Sequence, residues 1–285
     1  MIAFASNSLL CRAALKQTSI DAASFTFIRI FAGAVVLWLV LNLRRMTRTT
    51  PSVGLGGNWI SALALLLYAA GFSFAYVAVA AGTGALLLFG AVQATMILWG
   101  LHKGERLRVI QILGLIVAMT GLVVLLFPGL SAPPLFGSFL MLGAGIAWGV
   151  YSLRGKKEKD PVTATTGNFV RAVPFAAAVT IIFLRSLDVD LAGVGYAIVS
   201  GAITSGLGYV IWYTVLPSLK AASAATVQLS VPVLAAAGGI LFLGEPLTLR
   251  YLVASLAILG GIALVVFEKK CARADPRISR LDVRQ

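Results

Sequence analysis

Residues 81–127 and 221–267 are laid out alike. Each opens with about twenty apolar or small residues, passes a short turn carrying Gly-Glu-x-Leu, and continues into a second apolar run that closes on Phe127 or Phe267. Gly104-Glu105-x-Leu107 and Gly244-Glu245-x-Leu247 fall at the same point of the two patterns. A helix needs roughly 20 residues to cross a hydrocarbon core about 30 Å thick, so each stretch reads as a hairpin of two transmembrane spans. One such hairpin per half points to internal duplication.

The rest of the chain agrees. With 59% hydrophobic and 12% charged residues and a mean hydropathy of +0.96, 285 residues carry far more apolar surface than one soluble core needs. Ten apolar segments follow one another, near 1–16, 23–43, 58–79, 82–101, 108–127, 135–153, 164–184, 193–214, 222–242 and 247–267, and the connections are short. The expected fold class is an all-α membrane protein. The first segment begins at Met1 and is short for a span; it either starts at the bilayer surface or lacks preceding residues, and with no basic stretch before it, it does not read as a cleavable signal peptide. The net charge of +13 raises the question of nucleic acid. Lys and Arg are confined to short segments between apolar runs, so no nucleic-acid partner is expected. Cys11 and Cys271 lie at opposite ends without metal-ligand spacing and read as unpaired thiols.

Arg44, Arg45, Arg48, Lys103, Arg106, Arg108, Arg154, Lys156, Lys157, Lys159, Lys220 and the six basic residues of the tail all follow even-numbered spans. The other side receives only Arg12, Lys16, Arg185 and Arg250. The positive-inside rule therefore places both termini in the cytoplasm, expected to be that of a bacterium with the protein in its inner membrane. Five spans per repeat is odd, so the second repeat is inverted relative to the first. The expected units are a first repeat over 1–127, a second over 128–267 and a basic tail over 268–285. Phe27-Ile28-Arg29 is echoed by Phe169-Val170-Arg171, and Phe72/Tyr76 by Tyr209/Tyr213. Inverted repeats are a common build for transporters, with the substrate near the midplane.

All ten acidic residues (Asp21, Glu105, Glu158, Asp160, Asp188, Asp190, Glu245, Glu268, Asp275, Asp282) fall in loops, at span ends or in the tail, and the single histidine, His102, is at a span end. An ion-coupled carrier usually keeps an intramembrane carboxylate or histidine, so a facilitator or exchanger of neutral or zwitterionic solutes is expected. The interior instead holds the amides Asn7, Gln93, Asn168 and Gln228, for which helix–helix hydrogen bonding and cavity lining stand as equal readings. Tyr68, Phe72 and Tyr76 share one helix face, as do Tyr209 and Tyr213. Trp148 and Tyr151 lie near the cytoplasmic half of span six. Arg29 and Arg171 read as orientation anchors near helix ends in preference to a clamp for a substrate carboxylate. Glu105 and Glu245 read as first-turn caps of spans five and ten, and Pro174 and Pro232 as kinks in spans seven and nine. The Gly- and Ala-rich runs read as packing surfaces. No phosphate loop, metal cluster or nucleophile triad is evident, and no cofactor is expected.

Ten spans in two inverted halves, Ser6-Asn7 in span one, Phe-x-Arg in spans two and seven, and Gly-Glu-x-Leu before spans five and ten together resemble the drug/metabolite transporter superfamily, EamA type. The likeness runs from Met1 to about Glu268 and is strongest to bacterial exporters of aromatic and other amino acids. The first span departs from the family pattern in lacking an apolar lead and Trp-Gly before Ser-Asn. The resemblance implies ten helices around a central cavity lined by spans one, three, four, six, eight and nine, with spans five and ten peripheral. It implies cavity residues Asn7, Phe72, Tyr76, Phe89, Gln93, Trp148, Tyr151, Tyr209, Tyr213 and Gln228. The expected partners are a small-molecule substrate and the lipid bilayer, and the expected state is a monomer. The rival readings are a broad-specificity drug or metabolite exporter, an intramembrane enzyme acting on lipid, and a scaffold without transport.

Overall fold

The computed structural model describes residues 1–47, 54–104, 108–127, 132–156, 158, 160–215 and 227–274, with Thr47 and the residues after Val265 described by backbone alone. Among these every regular element is helical. The helices are α1 (Ile2–Gln17), α2 (Ala22–Thr47), α3 (Trp59–Tyr76), α4 (Ala81–His102), α5 (Val109–Leu126), α6 (Leu135–Gly155), α7 (Pro161–Ile182), α8 (Leu191–Val215), α9 (Ser230–Leu243) and α10 (Leu249–Ala274). Within α8, α-helical Leu191–Val199 and Gly208–Val215 flank a π-helical stretch, Ser200–Leu207. By length and composition α2 to α8 can each cross a membrane, whereas α1, α9 and the apolar part of α10 are shorter.

Side chains in the turns determine where several helices start. Asp21 accepts the amides of Ala23 and Ser24 at 2.9 Å, Asn58 that of Ser61, Asp160 that of Thr163 and Asp190 that of Gly193. Each satisfies an N–H that has no partner within its own helix. Partial desolvation acts to raise the Asp160 carboxyl, but the Thr163 hydroxyl and amide and the nearby Arg44 guanidinium outweigh it and hold the group below the usual carboxylate range. That depressed value contributes stability above the unfolded-state pKa of about 3.9, and the contribution is lost as pH falls through the folded value. At the other end of a helix, Gly244 takes φ 62° to end α9, a left-handed conformation that suits glycine.

The burial pattern departs from a soluble protein's: polar groups join an apolar core, and large apolar side chains cover the outside. Asn7, Ser8, Thr26, Arg29, Ser73, Thr166, Ser200, Thr204 and Ser205 are buried, while Phe31, Trp38, Leu39, Ile112, Leu113, Ile116, Val123, Leu241 and Phe242 are exposed. Such a surface is stable against acyl chains and unstable against water.

Helix α1 sits among α3, α4, α8 and α9; α6 packs on α3 and α4, and α2 on α7 and α8. Helices α5 and α10 form an antiparallel pair touching the rest mainly through α4. Their seam is made of small residues: a Cβ on Gly114 would strike the Gly261 carbonyl, one on Gly261 the Gly114 carbonyl, and one on Gly121 would come within 2.8 Å of Ala257. Gln111 Nε2 donates to the Val265 carbonyl at one end of the seam and Arg250 to the Phe127 carbonyl at the other. Without a strong hydrophobic drive between helices in lipid, close backbone approach supplies the attraction.

Both prolines expected to interrupt spans seven and nine lie within helical backbone. Pro174 lies inside α7. Pro232 is the third residue of α9, and Val227 and Gln228 before it are also helical; the break falls at Leu229, one turn ahead of the proline, where its missing amide and its ring act on the backbone. Replacing Gly261 with Val forces the α5–α10 seam apart; overpacking of this kind costs about 1–3 kcal/mol, and a melting curve in detergent is expected to fall by several degrees.

Candidate functional site

The centre of the bundle is a polar knot inside an aromatic cage. Asn7, one turn into α1, donates from Nδ2 to the Tyr68 hydroxyl of α3 at 3.3 Å. Its Oδ1 accepts from Ser200 at 2.7 Å and from Thr204 at 3.1 Å, both on the π-helical stretch of α8. The Tyr68 hydroxyl also accepts from Arg29 Nη2 of α2 at 3.1 Å, and Arg29 Nε donates to Ser205 at 3.3 Å. One amide, one phenol and one guanidinium thus join four helices. Gly201 makes this possible, because its Cα lies so close to the Arg29 carbonyl that a side chain has no room.

Around the knot stand rings packed at tilted and edge-on angles. Trp148 of α6 has ring centroids 4.8 Å from Tyr68, 4.9 Å from Tyr209 and 5.5 Å from Tyr151. Phe4 meets Trp148, Tyr209 and Trp212 edge-on at 5.9–6.1 Å. Phe72 lies between Tyr68 and Tyr76. These rings close the centre to a cavity of about 10 Å³, lined by Phe4, Asn7 and Ser8 of α1, Tyr68 and Phe72 of α3, Leu88 and Phe89 of α4, and Trp148. That is room for about one water.

Of the residues expected to line a cavity, Asn7, Phe72, Phe89 and Trp148 surround this one, and Tyr209 stands behind Trp148. Tyr151 and Tyr213 belong to a second cavity of similar size nearer one end, with Ser61, Thr165 and Asn168. Tyr76 is buried, its hydroxyl donating to the Ala81 carbonyl. Gln93 and Gln228 are buried but line neither cavity, and Gln93 Nε2 has no hydrogen-bond partner among the described residues.

Three readings of charged residues need revision. Arg29 is not an anchor near a helix end: it is 2% exposed and stands over the faces of Phe72 and Tyr68, with its guanidinium carbon 4.8 and 5.3 Å from the ring centroids. Its counterpart in the repeat, Arg171, is half-buried, donates to the Gly56 and Gly167 carbonyls, and fits the anchoring role. Glu245 does not cap α10, which starts four residues later. Its carboxylate instead accepts the Ala81 amide at 2.8 Å, capping α4, and pairs with Arg12 of α1 at 3.1 Å. Arg12 in turn donates to the carbonyls of Tyr76 and Val77. Glu105 lies outside the described residues. Tyr68, Phe4, Ser200, Thr204 and Ser205 were not singled out as site residues; Tyr68 was signalled by its four-residue spacing from Phe72, while serines and threonines in an apolar run carry no distinguishing pattern.

The ends of the bundle are tied separately. Arg12–Glu245 and Ser19–Asp188 link connections at one end. At the other, Arg154 of α6 donates to Ser61 and to Asn58, the Asn58 amide donates to Asn168 of α7, and Arg44 pairs with Asp160.

Apolar outward faces on membrane-length helices around a buried polar and aromatic centre are those of a membrane protein. Residues 135–267 match the EamA-like transporter family. The chain is 56% identical over 93% of its length to an uncharacterized protein of Pseudomonas aeruginosa, covering 91% of it. It is 24% identical to the uncharacterized transporter YoaV of Bacillus subtilis, over 85% of this chain and 86% of that one. It is 32% identical to the threonine/homoserine exporter RhtA of Escherichia coli, over 62% of this chain and 60% of RhtA. A crystal structure of 19% identity superposes with a TM-score of 0.64 over 94% of this chain and 97% of its own, a likeness of fold. Residues 135–267 of the chain are thus an EamA-like transporter domain, and the chain is similar over most of its length to a protein named as a transporter.

The Arg12–Glu245 pair makes a measurable prediction. Removing one partner of a buried pair leaves an uncompensated charge, typically at 3–5 kcal/mol, whereas apolar replacement of both is often near neutral. Arg12→Met and Glu245→Met are each expected to lower the detergent melting temperature sharply, and the double variant to recover most of the loss.

Proposed function

We propose that the protein is a secondary transporter that exports amino acids or similar small amphipathic metabolites from the bacterial cytoplasm by alternating access. The observation that carries this reading is the knot of Asn7, Arg29 and Tyr68 within an aromatic cage, midway between two separately tied ends of a lipid-facing bundle. The amide and hydroxyl groups suit polar substrate atoms and the rings an apolar side chain, a combination that matches a small amphipathic solute. The likeness to a threonine/homoserine exporter supports the same substrate class.

In this reading ten spans form two inverted five-helix repeats, 1–127 and 128–267, with both termini cytoplasmic and the basic tail 268–285 on that side. Substrate reaches the centre when the Arg154–Asn58 and Arg44–Asp160 ties open, and leaves when the Arg12–Glu245 tie opens. Because every carboxylate lies in a loop, at a span end or in the tail, and the buried Glu245 is engaged by Arg12 and Ala81, the expected mode is that of a facilitator or exchanger. A monomer suffices for such a cycle. The second reading is a broad-specificity drug or metabolite exporter on the same scaffold, which the predominance of rings around the site favours.

The test is uptake of a radiolabelled amino-acid panel into proteoliposomes, with and without an imposed proton gradient. Saturable flux indifferent to the gradient is expected, with Asn7→Ala and Tyr209→Ala each lowering it about tenfold or more, as loss of a positioning contact does. Flux strictly dependent on the gradient refutes the facilitator mode; no flux of any amino acid moves the assignment to the broad exporter.

A further inference from the structure

Arg29 is the one charged group at the centre among the described residues, and its hydrogen bonding is incomplete. A guanidinium stays ionised in proteins and presents five N–H donors. Here Nε is held by Ser205 and Nη2 by Tyr68, but Nη1 is buried with no hydrogen-bond partner. Its other neighbours are the faces of Phe72 and Tyr68, which attract a cation weakly. Among the described residues the ion pairs are Arg12–Glu245 and Arg44–Asp160, and neither involves Arg29. The acids outside the described residues lie by sequence in a turn or the tail. A 98%-buried cation is therefore held by neutral groups alone, an arrangement that costs several kcal/mol unless an anion joins it.

The position of that missing anion is defined by the neighbours. Arg29 itself lines neither cavity, but Tyr68 and Phe72, the two rings its guanidinium stands over, are walls of the central one, and the Tyr68 hydroxyl joins Arg29 to Asn7. Tyr209 brings a second unpaired polar group, its hydroxyl, to the cage beside Trp148. A purely structural arginine would be expected to use its free Nη1 on a carbonyl, as Arg171 does with Gly56 and Gly167. Arginine's planar fork matches a carboxylate bidentately.

We propose that Arg29 is the anion-binding group of the central site and that the cargo supplies its counter-charge through a carboxylate. This rests on the transport reading above and narrows it: the cargo carries a free carboxylate, and amines, amides and uncharged drugs are rejected. Asn7 and the cage rings then hold the remainder of the molecule. Occupancy also removes the uncompensated charge, so binding of substrate stabilises the centre.

The experiment is ligand-induced thermal stabilisation and competition binding on the purified full-length protein. The probes are L-threonine, L-homoserine and L-tryptophan, their carboxamides, and the matching 2-hydroxy acids, which keep the carboxylate and lack the amine. In the wild type each carboxylate is expected to bind at least tenfold more tightly than its amide. Arg29→Lys is expected to keep part of that preference and Arg29→Met to abolish it. Amides that bind the wild type as tightly as the acids overturn the proposal without reference to any variant, as does a panel in which no carboxylate binds. Hydroxy acids that bind with the same dependence on Arg29 while amino acids do not support the anion site and instead refute the amino-acid reading.

Discussion

A polar group inside a bilayer must find its partner within the protein, and in this molecule Asn7 meets that requirement for three helices at once. Its amide nitrogen and oxygen together engage Tyr68, Ser200 and Thr204, so α1 cannot rotate or slide without breaking these bonds. Tyr68 extends the network to Arg29 and hence to α2. The aromatic cage packs on this frame. Helices α5 and α10 contribute none of these bonds and adhere to each other along a glycine seam, which leaves them at the periphery.

Much of the fold could be read from composition. Apolar run length is a direct consequence of bilayer thickness, so the segments read from sequence and the helices agree to within a few residues over most of the described chain. Polar turn residues at Asp21, Asn58, Asp160 and Asp190 begin helices for the same local reason that they occur in turns. Where local rules compete with long-range partners, the reading was less secure. Glu245 has the sequence context of a cap for the helix that follows it, yet Arg12, 233 residues away along the chain, and the start of α4 draw its carboxylate elsewhere. Arg29 and Arg171 occupy equivalent places in the pattern, but one meets rings and hydroxyls and the other meets open carbonyls. Only three-dimensional neighbours distinguish them. Serine and threonine on α8 were invisible as site residues because their hydroxyls fit an apolar helix equally well when they bond to their own backbone.

The two ends of the bundle differ in chemistry as well as in residues. One is closed by a buried ion pair, the other by an arginine on neutral acceptors and a half-exposed ion pair. Buried and exposed pairs respond differently to salt, the former being screened much less. The closures of the two sides therefore differ in their energetics and in their response to salt.

The π-helical stretch of α8 gives that helix two phases. In a π-helix the hydrogen bonds reach one residue further than in an α-helix, so Ser200 and Thr204, within the stretch, and Tyr209 and Tyr213, beyond it, are set at an angle that an unbroken α-helix would not produce. Such a stretch holds a surplus of backbone. One helix thereby presents hydroxyls to Asn7 and the Tyr209 phenol to the rings of α6 and α7 from positions that a single helical phase could not serve together.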